Sequence, residues 1–200
     1  KTLEREGITH GWIEADVSSS GWTSRLVAAL GDTVLDVVIY NAGVWESTAF
    51  SSGYDFSEIS DLETERIITV NLTSAIACAR AVLPHLRRSS GGKILFVGST
   101  AGLENSGQRE VAYSASKFGL RGVAHALRES LRLEGIAVTC INLGDIGVIE
   151  TKDGVVSARG FDERTLLNPH SVLELVRCVL AMDNSSCVKE IDLPALTDRV

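Results

Sequence analysis

Short apolar runs alternate along the chain with longer stretches in which apolar positions recur every three or four residues. The first run, "ITHGWIEADV" at 8–17, reads as a strand, and "GWTSRLVAAL" at 21–30 as a short helix closed by Gly31-Asp32. "VLDVVIY" at 34–40 is β-branched and apolar on both faces, the pattern of a strand covered by helices on each side. Residues 44–61, rich in Ser, Gly and aromatics, read as a loop. A helical period then runs from near Asp61 to about Arg88 and stops at "SSGG", with Pro84 placed to bend or fray its last turns. "KILFVG" at 93–98 is a buried strand, 102–110 a loop, 111–134 a helix and "IAVTCIN" at 136–142 a further strand. Gly144, Gly147, Gly154 and Gly160 mark 143–168 as irregular. "PHSVLELVRCVLAM" is a helix with Pro169 in its first turn, and "VKEIDL" a last strand.

Strand and helix in alternation, without repeats, low-complexity tracts or linkers, predict a single α/β domain spanning 1–200: a parallel sheet with helices on both faces. Such sheets bind ligands beyond the carboxyl ends of their strands, so polar groups there are the candidates. A net charge of −7 with no basic stripe argues against nucleic acid or an anionic membrane surface as a partner. The apolar runs read as too short to cross a bilayer, and "KTLEREGITHG" has no apolar signal core, so a cytoplasmic protein is expected. Cys78, Cys140, Cys178 and Cys187 form no C-x-x-C pair and the four histidines are scattered, so no metal site is expected. The cysteines read as reduced and packed in the core.

Asn41-Ala42-Gly43 follows "VLDVVIY": either a plain turn, or a small-residue floor on which a flat ligand lies against backbone. Ser99 follows "KILFVG", where a serine is commonly a cap or turn residue. Asn71 lies mid-helix, where Asn is a poor helix former, so it marks an exposed face, a local distortion or a site. Tyr113 and Lys117, at i and i+4, share one helix face, with small Ser114, Ala115 and Ser116 between them. Packing accounts for such a pair; so does proton transfer. A phenol with a pKa of about 10 is too weak an acid for work near neutrality. A neighbouring ammonium favours the phenolate and brings it toward range.

Taken together in this order, the signals "YNAGV" at 40–44, "VNLTS" at 70–74, "ILFVGSTAG" at 94–102 and "YSASKFGLRG" at 113–122 make the chain resemble the short-chain dehydrogenase/reductase family over essentially its whole length, with "INLGDI" at 141–146 a looser match. The resemblance implies a doubly wound, Rossmann-like three-layer fold. It implies an NAD- or NADP-dependent oxidoreductase that moves a hydride between the nicotinamide and a carbonyl or secondary alcohol, on a small-molecule substrate. By the same resemblance Tyr113 is the general acid or base, Lys117 lowers its pKa and holds the nicotinamide ribose, Ser99 binds the substrate carbonyl, and Asn71 orders a water in a proton relay. Asp16 and Val17 match the pair that contacts the adenine ring. Asn41, Ala42 and Gly43 match the residues packed near the adenine-side ribose, and Asn142, Gly144 and Ile146 those along the nicotinamide.

The sequence departs from the family pattern in four places. Tyr40 stands where the family often has an Asn, and Leu143 where Pro is common before Gly144, which implies a looser nicotinamide loop. Val148 replaces a frequent Thr, with Thr151 three residues on. The glycine-rich phosphate loop and the residue that selects NAD over NADP match nothing here. The first βαβ portion is therefore expected to be missing, leaving a gap of about two strands, near ~10 Å, between "ITHGWIEADV" and "VLDVVIY". An epimerase or dehydratase of the extended branch, a non-catalytic nucleotide-sensing or scaffold relative, and an inactive truncated fragment are the alternatives. The substrate walls are expected from 44–60, 103–110 and 143–168, with Val148, Ile149, Val155, Val156, Phe161, Leu166 and Leu167 either a partly apolar lid or plain core cover. A homodimer or homotetramer is expected, with Ala75, Ala79, Gly119, Gly122 and Ala126 allowing helices to approach across a two-fold axis.

Overall fold

The sheet is built from β1 (Val37–Tyr40), β2 (Lys93–Ser99), β3 (Ala137–Leu143) and β6 (Glu190–Leu193), all parallel and in the order β1-β2-β3-β6. The computed structural model describes residues 7–147, 149–152, 155–158 and 166–198, the segments 149–152 and 155–158 by backbone alone. Ser99 pairs with Leu143 and Leu143 with Leu193, so three strands end in one row. Alternation along β2 divides the core. Ile94 and Phe96 face a cluster with Tyr40, Ala75, Ala79, Leu120 and Ala124, drawn from α3 (Ser74–Leu86) and α4 (Val111–Leu131). Leu95 faces Ile141, Leu143 and Val179, the last from α5 (Pro169–Ala181). A parallel sheet buried between helical layers is the architecture the apolar runs predict.

Local chemistry sets the helix ends. α1 (Trp22–Leu30) buries Trp22 and packs Leu26 and Leu30 on the first cluster. Ser60 caps α2 (Asp61–Ile68) by accepting the Glu63 N–H at 3.2 Å, and Asp61 and Glu63 complement the positive end of the helix. A π-helical turn, Thr69–Thr73, joins α2 to α3. Pro84 does not end α3, which runs to Leu86; so near the C-terminus few backbone bonds remain for it to break. Within Asp61–Leu86 an 18-residue stretch reaches a mean hydropathy of 1.5, long and apolar enough by length and composition to cross a membrane, against the sequence expectation. Here Ala75, Ala79, Val82 and Leu86 lie against the sheet instead.

Four further expectations change. Residues 8–17 form no strand: among the described residues no neighbour lies beside them, and a strand without a partner has no ladder to join. β1 is covered on one face only, because α5 does not reach it; Val37 and Ile39 are exposed and its outer edge is open. The segment 143–168 contains an antiparallel hairpin, β4 (Ile149–Lys152) with β5 (Val155–Ala158). Cys178 and Cys187 are exposed, and only Cys140 is buried in the core. Val148 and Phe161 lie outside the described residues, as do the side chains of Ile149, Thr151, Val155 and Val156.

The turn Thr100–Gly102 lies directly against α4: a Cβ on Gly102 would stand 2.8 Å from the Lys117 carbonyl carbon. Neither backbone gives way easily, so Gly102→Ala is expected to cost about 1–3 kcal/mol. Urea unfolding at unchanged slope reads this as a lower midpoint; an unchanged midpoint would mean the two segments have room to separate.

Candidate active site

The π turn carries Asn71 inward. Its side chain is fully buried, accepts the Val44 N–H at 2.8 Å and donates to Val44 O at 2.8 Å and to Ser116 Oγ at 2.9 Å. Of the sequence alternatives, local helix distortion holds and the exposed face does not. Leu72, the next residue, occupies the space a side chain at Gly119 would need, 2.7 Å from that Cβ position, so the turn packs closely on α4. Tyr40 enters the core, and its hydroxyl donates to Val70 O at 2.7 Å, which ties the end of β1 to the same turn. The departure from Asn at position 40 thus adds a core residue rather than a ligand group.

Two buried carboxylates, neither foreseen from the sequence, order the start of α4. Glu46 Oε1 accepts the N–H groups of Ala112 at 2.9 Å and Tyr113 at 3.2 Å. Glu46 is fully buried, and its Oε2 has no hydrogen-bond partner. Glu110 Oε1 accepts the Phe50 N–H at 2.8 Å, and the Tyr54 hydroxyl accepts the Val111 N–H at 3.0 Å. A helix N-terminus leaves N–H groups unpaired and carries positive partial charge, so carboxylates stabilise it. The only sequence signal was an acid inside the otherwise uncharged loop "VWESTAF".

With α4 held this way, the Tyr113 and Ser99 side chains line one cavity together, and the serine hydroxyl lies near enough to favour the phenolate. Ser99 Oγ also accepts the Ala101 N–H at 3.1 Å, so it is a cap and a site residue together. Lys117 Nζ stands 5.5 Å from the Tyr113 ring centroid and donates to Val97 O at 3.1 Å. Burial raises the Tyr113 pKa above its ordinary value; the Ser99 hydroxyl opposes this, and the charges of Asp145, Glu110 and Glu46 add to it. Burial lowers the Lys117 pKa to about 8. The ammonium was expected to draw the phenol down; instead burial shifts both groups toward their neutral forms, the phenol upward and the ammonium downward.

These groups open into a cavity of about 630 Å³ at the carboxyl ends of β1, β2 and β3. Asn41, Gly43, Ser99, Tyr113, Lys117, Gly144 and Ile146 line it together. The other sequence candidates lie elsewhere. Ala42 packs on the core. Asn142 is buried, donating to Glu190 Oε1 and Asp192 Oδ1, each at 2.7 Å. Asp16 is exposed and accepts the Ser18 N–H at 2.9 Å; neither it nor Val17 touches the cavity. Asn71 does not line the cavity itself; its Oδ1 lies behind Gly43, 3.8 Å from where a Cβ there would stand. Sequence reasoning named the wall regions and Leu166, but not the other wall residues, which include Trp45, Phe50, Gln108 and Asp145. The loop after Leu143 is pinned rather than loose: Gly144 N–H donates to Leu193 O at 2.9 Å and Gly147 N–H to Leu167 O at 2.9 Å.

Behind Asn142, Glu190 joins Arg121 and His125. Burial alone would raise the Glu190 pKa, but the bonds from Arg121, Asn142 and His125 hold it at about 2. Arg121 also donates to Gly102 O at 2.7 Å, so this ion pair braces the turn below Ser99.

Fold and site define an α/β protein whose parallel sheet presents a Ser–Tyr–Lys cluster at its carboxyl edge. The chain belongs to the short chain dehydrogenase family, whose model matches residues 1–154. It is 33% identical over 138 residues to the rhamnolipids biosynthesis 3-oxoacyl-(acyl-carrier-protein) reductase of Pseudomonas aeruginosa, across 66% of this chain and 52% of that protein. To an uncharacterized oxidoreductase of Myxococcus xanthus it is 33% identical over 175 residues, 85% of this chain and 63% of the relative. A 3-dehydrosphinganine reductase of Arabidopsis thaliana shares 33% over 138 residues, 68% of this chain and 39% of that one. The chain spans about half the length of the curated relatives it matches. Among solved structures, the alcohol dehydrogenase from the archaeon Thermococcus sibiricus complexed with 5-hydroxy-NADP has the same fold, with a TM-score of 0.78 and 22% identity over 99% of this chain and 80% of that one.

A buried lysine of lowered pKa has a definite pH signature. Below about pH 8 both the folded and unfolded states carry the charged Lys117, and the folded state bears the desolvation penalty in full. Between about 8 and the unperturbed 10.5 the folded state loses its proton first, so stability contributed by this group rises with pH. Relative to Lys117→Met, which has no such group, the wild type is expected to gain about 3 kcal/mol from neutral pH through that window. Urea unfolding of both proteins across the range checks it; a constant difference would show that Lys117 is not desolvated.

Proposed function

We propose that the protein is an oxidoreductase that moves a hydride between a nicotinamide cofactor, NAD or NADP, and a carbonyl or secondary-alcohol carbon, with Tyr113 passing the matching proton. The observation that carries this reading is that Ser99, Tyr113 and Lys117 line one cavity on the strand ends, with Lys117 Nζ 5.5 Å from the Tyr113 ring centroid. The names of the relatives, reductases of a 3-oxoacyl group and of 3-dehydrosphinganine, support ketone chemistry. Bound NADP in the Pseudomonas aeruginosa RhlG complex, of TM-score 0.75 and 23% identity, supports the cofactor.

The residues present fit a nicotinamide riboside. A Cβ at Gly43 would come 3.6 Å from Lys117 Nζ, so the absence of a side chain there keeps the ammonium open to the cavity. Gly144 lines the cavity as well, and Asn41 supplies a polar partner. The bound nicotinamide supplies or accepts the hydride. Lys117, with one proton occupied by Val97 O, holds the ribose with the others. Ser99 donates to the substrate oxygen and sets it against the Tyr113 hydroxyl. A phenol of raised pKa keeps its proton until that oxygen becomes basic, then gives it up. Asn71, with both amide hydrogens already occupied, acts by positioning Val44 and Ser116 rather than by holding a relay water.

We place the protein in the cytoplasm, a reading supported by the unpaired thiols of Cys78, Cys140, Cys178 and Cys187. It assembles as a homodimer or homotetramer through the outer faces of α2–α3 and α4, where Leu62, Ile76, Val111 and Phe118 are exposed. Gly122 and Ala126 lie on that outer face, but Ala75 and Ala79 face the core and take no part. Light scattering at micromolar concentration is expected to give a multiple of the chain mass; a monomer would refute this assembly.

Tyr113→Phe keeps the ring and removes the reacting hydroxyl. Oxidation of NADH or NADPH with a ketone panel is expected to show kcat lowered by about 10²–10⁴-fold, with the circular dichroism of the fold unchanged. Activity within a few-fold of wild type would overturn the assignment.

A further inference from the structure

Resting on that reading of the site, we infer that Trp45 and Phe50 form a specificity wall for an uncharged, ring-bearing ketone or its secondary alcohol. Both side chains line the cavity and both are about half exposed, 53% for Trp45 and 50% for Phe50. Their rings meet at 5.9 Å with an interplanar angle of 60°. Phe50 in turn stands edge-on to Tyr113, 5.6 Å between centroids at 88°. An aromatic surface thus runs unbroken from the cavity rim to the reacting phenol. Core packing does not explain it, because half of each indole and phenyl surface faces outward.

The backbone of Phe50 points the same way. Its φ is +60°, in the left-handed region that a bulky residue rarely adopts. The conformation is held by the Phe50 N–H bond to buried Glu110 and by the Ala49 N–H bond to Glu46 O at 2.9 Å. A residue held in a costly conformation to present a half-exposed ring beside a reactive group marks a functional constraint. Ile146 and Leu166 supply apolar surface in the same cavity, whose volume suits a small bicyclic molecule.

Charge narrows the class. The carboxylates of Asp145, Glu110 and Glu46 act on the Tyr113 phenol, and Asp145 itself lines the cavity. Among the described lining residues Lys117 is the one cation, and it is already bonded to Val97 O. Arg109, nearby, donates to Ser51 O at 2.9 Å and lies over the Tyr54 ring instead. Among the described lining residues, a carboxylate or phosphate on the substrate would meet the Asp145 carboxylate and find Lys117 as its one counter-charge. A flat neutral ring would meet polarised aromatic edges.

The test compares three probes in the wild-type protein: tetralone, an open-chain ketone of the same carbon count, and a carboxylated tetralone. Turnover is read with nicotinamide cofactor, and binding separately by quenching of tryptophan fluorescence. Tetralone is expected to have kcat/KM about tenfold or more above each of the others. Phe50→Gly removes the ring while relieving the left-handed backbone, since glycine adopts positive φ freely, so the variant folds. In it the preference for tetralone over the open-chain ketone is expected to collapse by about tenfold, mainly through KM. Trp45→Leu repeats the test at the second ring. Equal turnover of tetralone and the open-chain ketone, or an unchanged preference in Phe50→Gly, overturns the wall and leaves the oxidoreductase reading standing. If no ketone turns over, that reading fails. Fluorescence then decides the wall alone: tetralone quenching that is lost in Phe50→Gly supports it, and no quenching in the wild type overturns it.

Discussion

One buried amide organises the site. The Asn71 side chain spends both hydrogens and its oxygen on Val44 and Ser116, and so ties the π turn, the loop after β1 and α4 to one another. The Asn71 side chain is itself buried, where an unmet donor or acceptor costs about 1–3 kcal/mol. The chain on either side of Val44 is therefore delivered to fixed places. Gly43 lies 3.6 Å, by its virtual Cβ, from Lys117 Nζ. Trp45 reaches the cavity, and Glu46 reaches the start of α4. The helix that carries Tyr113 is held at its first turn by Glu46, in its second by Ser116 and along its side by the glycine contact at Gly102.

Burial governs the electrostatics of the reacting pair. The phenol is pushed up and the ammonium down to about 8, because burial takes either charge out of water. Glu190 shows the opposite balance a short distance away. There, hydrogen bonds from Arg121, Asn142 and His125 overcome burial and hold the carboxylate ionised, at about 2. The contrast is one of donors: Glu190 accepts from Arg121, Asn142 and His125, whereas burial dominates at the Tyr113 phenol. The site thus pairs a rigid, permanently charged brace behind the strands with a proton-holding group in front of them.

The elements read best from the sequence are those whose apolar pattern matches their final surroundings. β2 and β3, continuous apolar runs, are buried on both faces, and the helices at 111–131 and 169–181 lie where the periodicity puts them. β1 has the same kind of sequence yet is an exposed edge, because pattern records what a strand could bury and not whether a neighbour is present. "ITHGWIEADV" fails for the same reason: a ladder needs two strands, and local residues specify one. At the site, Ser99, Tyr113 and Lys117 were legible because strand end and helix face fix where they point. Asn142 was misjudged because alternation along β3 sends it to the interior side, toward Glu190 and Asp192.

By itself the amino-acid sequence determined the α/β class, the parallel order of strand and helix, and the residue types that can transfer a proton, since these follow from periodicity and side-chain chemistry over a few neighbouring positions. Tertiary structure alone decided what those residues experience. Glu46 and Ala112 are 66 positions apart, Phe50 and Glu110 are 60, and Asn71 and Ser116 are 45. Burial, which moves the Tyr113 and Lys117 pKa values in opposite directions, is likewise a property of everything packed around them. Local pattern chooses the groups; long-range closure sets their distances, their solvent and therefore their chemistry.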